Sequence, residues 1–151
     1  MREEISAAMK EALRAKDQMA LSTMRLISAA LKDRDIAARS NGNADGIADD
    51  EILGLLQTMI KQRNESAKMY REGGRPELAD SEELEIRIIK QFLPEQLDEA
   101  GMADAIKKAI AETGASSVKD MGQVMAFLKK YYAGQMDFSS ASQAVKQALM
   151  G

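Results

Sequence analysis

The sequence predicts an all-α protein, and three features of its 151 residues indicate that class. Apolar residues recur in steps of three and four along most of the chain, which is the period of a helix packed on one side. No run of β-branched residues reaches the length of a strand. Trp is absent and aromatic residues make up only 4% of the chain. The core must therefore be built from Leu, Ile, Ala and Met, which favour helices.

Two amphipathic helices are predicted before the first loop. The first has its apolar positions at Ile5, Ala8, Met9, Ala12 and Leu13. Asp17 is expected to cap the second, which runs from about Gln18 to Arg39. The apolar positions of the second are Leu21, Met24, Ile27, Ala30, Leu31 and Ile36.

Two further helices are predicted after the polar Gly/Asn loop at residues 40–48. Asp49 is expected to cap the third helix, whose core positions are Ile52, Leu55, Leu56, Met59 and Ile60. Gly73 is expected to end this helix, followed by Gly74, and Pro76 can occupy the first turn of the fourth. The expected core face of the fourth helix is Leu84, Ile88, Ile89, Phe92 and Leu93.

A second domain is predicted after the Leu93-Pro94 step, because a residue before proline is biased away from helix. Asp98 is expected to cap its first helix and Gly114 to end it, and Ser116 or Ser117 to cap the next. The inner stripe of that helix is Met121, Val124, Met125 and Leu128. A last helix begins near Asp137 or Ser139 and buries Ala144, Val145 and Leu149. We therefore expect an N-terminal domain of long antiparallel helices at residues 1–94 and a small three-helix bundle at residues 95–151.

Composition disfavours several classes of function. The net charge is −3, with the acidic excess before residue 98, so binding of nucleic acid by bulk charge is not expected. The chain has no Cys and no His, and so lacks a thiol nucleophile, the commonest general base and the commonest nitrogen ligand for metals. We expect no catalytic residue, no metal and no cofactor. The start MREEIS has no apolar signal region, and no stretch approaches about 20 apolar residues, so a cytoplasmic protein without a membrane span is expected.

Basic residues form two stripes at seven-residue spacing. Arg25, Lys32 and Arg39 share one face of the second helix. Lys61, Lys68 and Arg75 repeat this spacing on the third, although Arg75 lies past its end, and Arg63 and Arg71 lie near this set. Two parallel stripes could follow a phosphate backbone. The alternative is a solvated face with local carboxylate partners, such as Arg71 and Arg75 near Glu72 and Glu77.

The KDMG string at residues 119–122 has both functional and structural interpretations. Asp120 could be a functional acid, but an Asp in the first turn of a helix more often caps it. Met121, with Met125, is expected in the core rather than as a metal ligand. Gly122 is expected to allow close helix packing.

Several strings together resemble the GatB/YqeY family. They are MKEAL, AKD, LSTMRLISAALKDRDI, KQRNES, GGRPEL, FLPEQL and KDMGQVM, in this order across nearly the whole chain. The resemblance implies an N-terminal helical domain followed by a three-helix domain. It also implies a relation to the tail of GatB, a subunit of the tRNA-dependent amidotransferase that uses glutamine as amido donor. That tail helps to hold tRNA, while ATP use and amide transfer occur elsewhere. Family tails commonly carry a basic residue in the turn that here reads Gly134-Gln135-Met136-Asp137, so a phosphate contact could be missing at Gln135.

The function expected from these observations is a non-catalytic accessory module that binds tRNA. Its candidate contact residues are Arg25, Lys32, Arg39, Lys61, Arg63, Lys68, Arg71 and Arg75. The motif residues with expected structural roles are Gly73, Gly74, Pro94, Asp120, Met121 and Gly122. One alternative is a protein-interaction adaptor whose C-terminal bundle docks a partner such as an amidotransferase subunit. A carbon–nitrogen ligase active on its own is the third.

Overall fold

The computed structural model describes residues 1–150, and all regular structure in that range is helical. The α-helices are α1 (Arg2–Arg14), α2 (Gln18–Ser40), α3 (Asp49–Glu72), α4 (Pro76–Lys90), α5 (Glu99–Thr113), α6 (Met121–Tyr131) and α7 (Phe138–Met150). A short 3₁₀ helix, Val118–Asp120, leads directly into α6. The predicted all-α class is confirmed. The chain divides into two compact units, of which the first is Met1–Leu93 and the second begins at Pro94.

The first unit packs α1 to α4 around one aliphatic core. Its most extensive interface joins α3 and α4, while α1 packs on α2 and α2 packs on α4. The fully buried aliphatic side chains of this core include Met24, Ile27, Ile52, Leu56 and Ile89. All five positions predicted for the core face of α3 are buried.

Two of the predicted helix starts in this unit are confirmed and one is wrong. The Asp17 carboxylate accepts a hydrogen bond from the Ala20 N–H at 3.1 Å, and Pro76 occupies the first turn of α4. Asp49 does not cap α3: Ala48 is the cap residue, and Asp49 lies in the first turn. A carboxylate there still stabilises the positive end of the helix dipole. At the other end of α3, Gly73 is the cap with an ordinary negative φ, and Gly74 adopts the left-handed conformation with φ 74°.

The prediction of a core position is wrong for three residues of the first unit. Leu13, Ile36 and Leu84 are 60%, 50% and 42% exposed. Leu84 lies about 200° around α4 from the buried Ile86, at about 100° per residue, so the two cannot share a face. On α2, the inward position next to Ile36 is occupied by the charged residue Asp35.

The second unit packs α5, α6 and α7 so that each helix contacts the other two. Its core is Ala105, Ile106, Ala109, Val124, Leu128, Met136, Ala141 and Val145. Asp98 caps α5 through the Gly101 N–H at 2.7 Å, and Gly114 ends α5 in the left-handed conformation with φ 68°, as predicted. The Leu97 N–H donates to the Gln135 carbonyl at 2.9 Å. This bond ties the segment before α5 to the turn before α7.

The KDMG string begins α6 through a capping arrangement. Ser117 and Asp120 form a capping box around the 3₁₀ helix, and the Asp120 carboxylate accepts from the Ser116 N–H at 2.9 Å. These backbone N–H groups hold the pKa of Asp120 below its usual value. Met121 packs against the second core. The expected close packing at Gly122 is wrong, because a Cβ at this residue would meet no atom within 4 Å.

Candidate nucleic-acid interface

A buried carboxylate, Asp35, anchors one end of the first unit. Its side chain forms a bidentate pair with the guanidinium of Arg2, which also donates to the Ile47 carbonyl at 2.7 Å. Asp35 accepts a further hydrogen bond, of 2.9 Å, from the Ile47 N–H. The residue is only 6% exposed. This network, which we call the Asp35 anchor (Arg2, Asp35 and Ile47), joins α1, α2 and the α2–α3 loop.

The backbone of the α2–α3 loop packs closely against the Asp35 carboxylate at Gly46. Gly46 has φ 81°, in the left-handed region that glycine adopts without strain. A Cβ at this position would overlap the Asp35 carboxylate. The hydrogen bonds from Arg2 lower the pKa of Asp35, and burial acts in the opposite direction. The Ile47 N–H and the charges of Arg2 and Arg39 add to the lowering, so the pKa stays below its usual value. The anchor is therefore held as an ion pair at neutral pH.

We expect the first unit to lose stability in acid through the Asp35 anchor. The pKa of Asp35 is lowered on folding. Its contribution to the free energy of unfolding is therefore complete above the unfolded-state pKa of about 3.9, and is lost as pH falls through the lower folded-state pKa. Urea unfolding of the first unit at pH 7 and at pH 3 measures this loss. The wild type is expected to lose more free energy of unfolding between these pH values than Asp35→Asn, and equal losses would contradict the assignment.

The two flanks of α2 line different grooves. The groove between α1 and α2, which we call the α1–α2 groove, has a volume of about 240 Å³. Its lining is Arg2, Ile5, Ser6, Met9, Ser28, Leu31, Lys32, Asp35 and Arg39. The opposite flank of α2, with Leu26, Ala30, Asp33 and Arg34, faces Leu55, Thr58, Met59, Gln62 and Arg63 of α3.

Five of the eight candidate contact residues are exposed cations whose side chains make no bond to another residue within residues 1–150. Arg25, Lys32, Lys61, Lys68 and Arg75 are all exposed and form no ion pair within residues 1–150. The local carboxylate partner expected for Arg75, Glu77, is therefore not engaged. Arg39 is also exposed, and its Nε donates to the Ala44 carbonyl at 3.3 Å.

The remaining two candidates form ion pairs with carboxylates of α4. Arg63 donates to Glu85 at 2.8 Å and to the Met59 carbonyl at 3.1 Å, and its side chain is 13% exposed. Arg71 donates to Glu83 at 2.8 Å and to Asp80 at 2.9 Å, not to the expected Glu72. Hydrogen bonds to Glu83 and Asp80 raise the pKa of Arg71. Both arginines thus join α3 to α4.

The structure brings only part of the two basic stripes together. Lys32 and Arg39 meet Arg2 in the α1–α2 groove. Lys61 and Lys68 lie on the outer side of α3, about 160–180° around the helix from the fully buried Ile52. The two stripes therefore present two separate basic surfaces on the first unit.

Sequence reasoning missed the residues that complete the α1–α2 groove. Asp35 carried a detectable signal, because a charged residue there falls among the apolar positions of α2. Arg2 carried none, since its partner lies 33 residues away. Ser6 and Ser28 also escaped notice, because serine on a helix surface is unremarkable until its neighbours are known.

The turn before α7 has a structural role in the second unit. Gly134 has φ 76° and is buried, and Gln96 donates to its carbonyl. Met136 is 2% exposed and belongs to the core. At Gln135, the backbone carbonyl makes the contact with Leu97, so the side chain is not required for that bond.

Two negative findings apply to residues 1–150. Within that range no three or more Asp and Glu side chains are grouped so that they could hold a metal ion. No helix in the same range combines the length and apolar character needed to cross a bilayer.

The protein is thus a helical protein of two units, with the Asp35 anchor and exposed basic surfaces on its first unit. The sequence pattern of the Yqey-like protein family matches residues 2–149, so the chain belongs to that family. The match covers both units. The family expectation from the sequence strings is thereby confirmed.

Two fungal proteins with the same printed name are similar to part of the chain. Altered inheritance of mitochondria protein 41, mitochondrial, of Clavispora lusitaniae is 34% identical over 85 residues, covering 56% of this chain and 46% of that protein. Its namesake of Vanderwaltozyma polyspora is 28% identical over 85 residues, covering 56% and 44%. The chain thus spans less than half the length of these relatives. Their names place those proteins in mitochondria, and the cytoplasmic location of this chain stays a prediction.

Proposed function

We propose that this protein is a non-catalytic accessory module that binds tRNA through the exposed cations of its first unit. The observation that carries the proposal is the set of cations on α2 and α3 that have no carboxylate partner within residues 1–150. Cations without an internal partner are free to contact phosphate oxygens. Arg63 and Arg71 support the surface indirectly, by holding α3 against α4.

The length of the two basic surfaces suits an extended ligand. Each surface follows one side of a long helix, and α2 and α3 span 23 and 24 residues. A helix of this length extends about 35 Å, at about 1.5 Å per residue, which exceeds the width of a nucleic-acid duplex. Phosphate contacts at two such surfaces would position the RNA without reading its sequence. This agrees with a module that holds RNA while chemistry occurs on another protein.

We expect charge reversal of Arg25, Lys32, Lys61 and Lys68 to glutamate to weaken tRNA binding by at least about tenfold, because even one lost charge-assisted hydrogen bond contributes about that factor. A filter-binding assay with bulk tRNA at moderate salt measures the change. The wild-type affinity should also fall as salt rises, since phosphate contacts release counterions.

The second unit offers a control with the same change in net charge. Lys107, Lys108, Lys129 and Lys130 are exposed, and their reversal to glutamate is expected to weaken binding much less. Equal losses in the two variants would indicate a general charge effect and contradict the proposed surfaces. Absence of tRNA binding by the wild type would reject the proposal and leave the protein-interaction alternative.

A further inference from the structure

The α1–α2 groove combines cations with hydroxyl donors that have no other partner. On α2, Ser28, Lys32, Asp35 and Arg39 follow one another at steps of four, three and four residues, so they form a single line. On α1, Arg2 and Ser6 repeat the four-residue step. All six residues line the groove. Each wall therefore carries polar side chains, alongside the apolar Ile5, Met9 and Leu31.

Several helical hydroxyls of the first unit are bonded to their own backbone, whereas the two hydroxyls of the groove are not. Thr23, Ser40 and Thr58 each donate to the backbone carbonyl one turn earlier. Ser6 and Ser28 make no hydrogen bond within residues 1–150. Their O–H groups remain available to an acceptor placed in the groove.

The charge of the groove is opposite to that of the whole chain. The lining carries three cations, Arg2, Lys32 and Arg39, against one carboxylate, that of Asp35. This carboxylate is already satisfied by the Arg2 guanidinium and the Ile47 N–H. Lys32 and Arg39 form no ion pair within residues 1–150, so the lining keeps an excess of positive charge although the chain as a whole has a net charge of −3.

The neighbouring groove between α2 and α3 lacks this excess of unpaired positive charge. Its charged lining residues are Asp33, Arg34 and Arg63, and the last is bound by Glu85 of α4. Asp33 and Arg34 offset each other. An excess of free positive charge is thus found on the α1 flank of α2 and not on its α3 flank.

We infer that the α1–α2 groove is a binding site for a phosphate group, with Lys32 and Arg39 as its cations and Ser6 and Ser28 as hydroxyl donors. The volume of about 240 Å³ accommodates such a group. Arg2 contributes charge while its hydrogen bonds hold Asp35. The phosphate comes either from an RNA backbone or from a free phosphate, and only the first source rests on the proposed function.

Titration with inorganic phosphate, followed by two-dimensional amide NMR of the full chain, tests the site. Saturable shifts are expected at amides around Ser6, Ser28 and Lys32, with sodium chloride at matched ionic strength as the reference. Lys32→Ala combined with Arg39→Ala is expected to weaken binding at least about tenfold. Arg34→Ala removes a cation from the other flank of α2 and is expected to leave binding unchanged.

Shifts that do not saturate, that spread over the whole surface, or that persist in the double variant would overturn the inference. If the double variant loses helix content by circular dichroism, Lys32→Gln alone provides the same comparison at an exposed side chain. A second titration with tRNA in the presence of phosphate distinguishes the sources. Competition at the same amides assigns the site to RNA. Phosphate binding without competition would support the phosphate site but would contradict its role in the proposed binding of tRNA.

Discussion

Asp35→Ala is expected to lower the free energy of unfolding of the first unit by about 3 kcal/mol. The substitution leaves the Arg2 guanidinium without its bidentate partner and the Ile47 N–H without its acceptor. Breaking a buried ion pair is costly because the remaining charge stays poorly solvated. Arg2 remains partly exposed, so water can recover some of the loss. The estimate therefore lies at the low end of the range for buried pairs.

Urea unfolding monitored by circular dichroism measures this loss, and Asp33→Ala is the matched control. Asp33 is an exposed carboxylate on the same helix and forms no ion pair within residues 1–150. Its removal is expected to change stability by no more than about 0.5 kcal/mol. Similar losses in the two variants would show that the Asp35 anchor is not a principal support of the first unit.

Leu128→Ala is expected to destabilise the second unit by about 3 kcal/mol, and to unfold much of it at 37 °C. Leu128 is fully buried on α6, in the core that includes Val124 and Val145. Truncation removes three carbon atoms and leaves a cavity, for which measured losses are about 2–5 kcal/mol. A unit this small buries limited apolar surface, so its total stability is low.

Amide NMR resolves the outcome for each unit separately. Signals of residues 94–150 are expected to collapse toward unfolded positions, while those of residues 1–93 keep their dispersion. Leu13→Ala makes the same truncation at a side chain that is 60% exposed, and is expected to leave both sets of signals dispersed. A Leu128→Ala protein with an intact second unit and a loss below about 1 kcal/mol would contradict the proposed core.

Helix existence and the principal caps follow from local chemistry, which explains why they were predictable. The apolar periods of α2, α3 and α6 are long enough to identify each helix. Asp17, Asp98 and Gly114 act within three or four residues of their own position. The wrong core predictions fall at Leu13, Ile36 and Leu84, apolar residues that the helix packing leaves exposed.

The candidate interface was predicted only in part, because charge pairing depends on tertiary packing. Eight basic residues looked equivalent at seven-residue or nearby spacing. Packing of α4 on α3 removed Arg63 and Arg71 from the set by bringing Glu85, Glu83 and Asp80 to them. Packing of α1 on α2 added Ser6 and Arg2 to the flank that carries Lys32 and Arg39.

The helical class, most of the helix ends and the family follow from the amino-acid sequence alone, because they depend on periodicity, capping and ordered strings within short windows. Which charges are free and which are paired depends instead on how the helices pack. The Asp35 anchor joins residues 33 and 12 positions apart, and no local pattern encodes such a contact. The α1–α2 groove exists for the same reason, since its two walls come from different helices and its charge is set by the side chains that packing brings together.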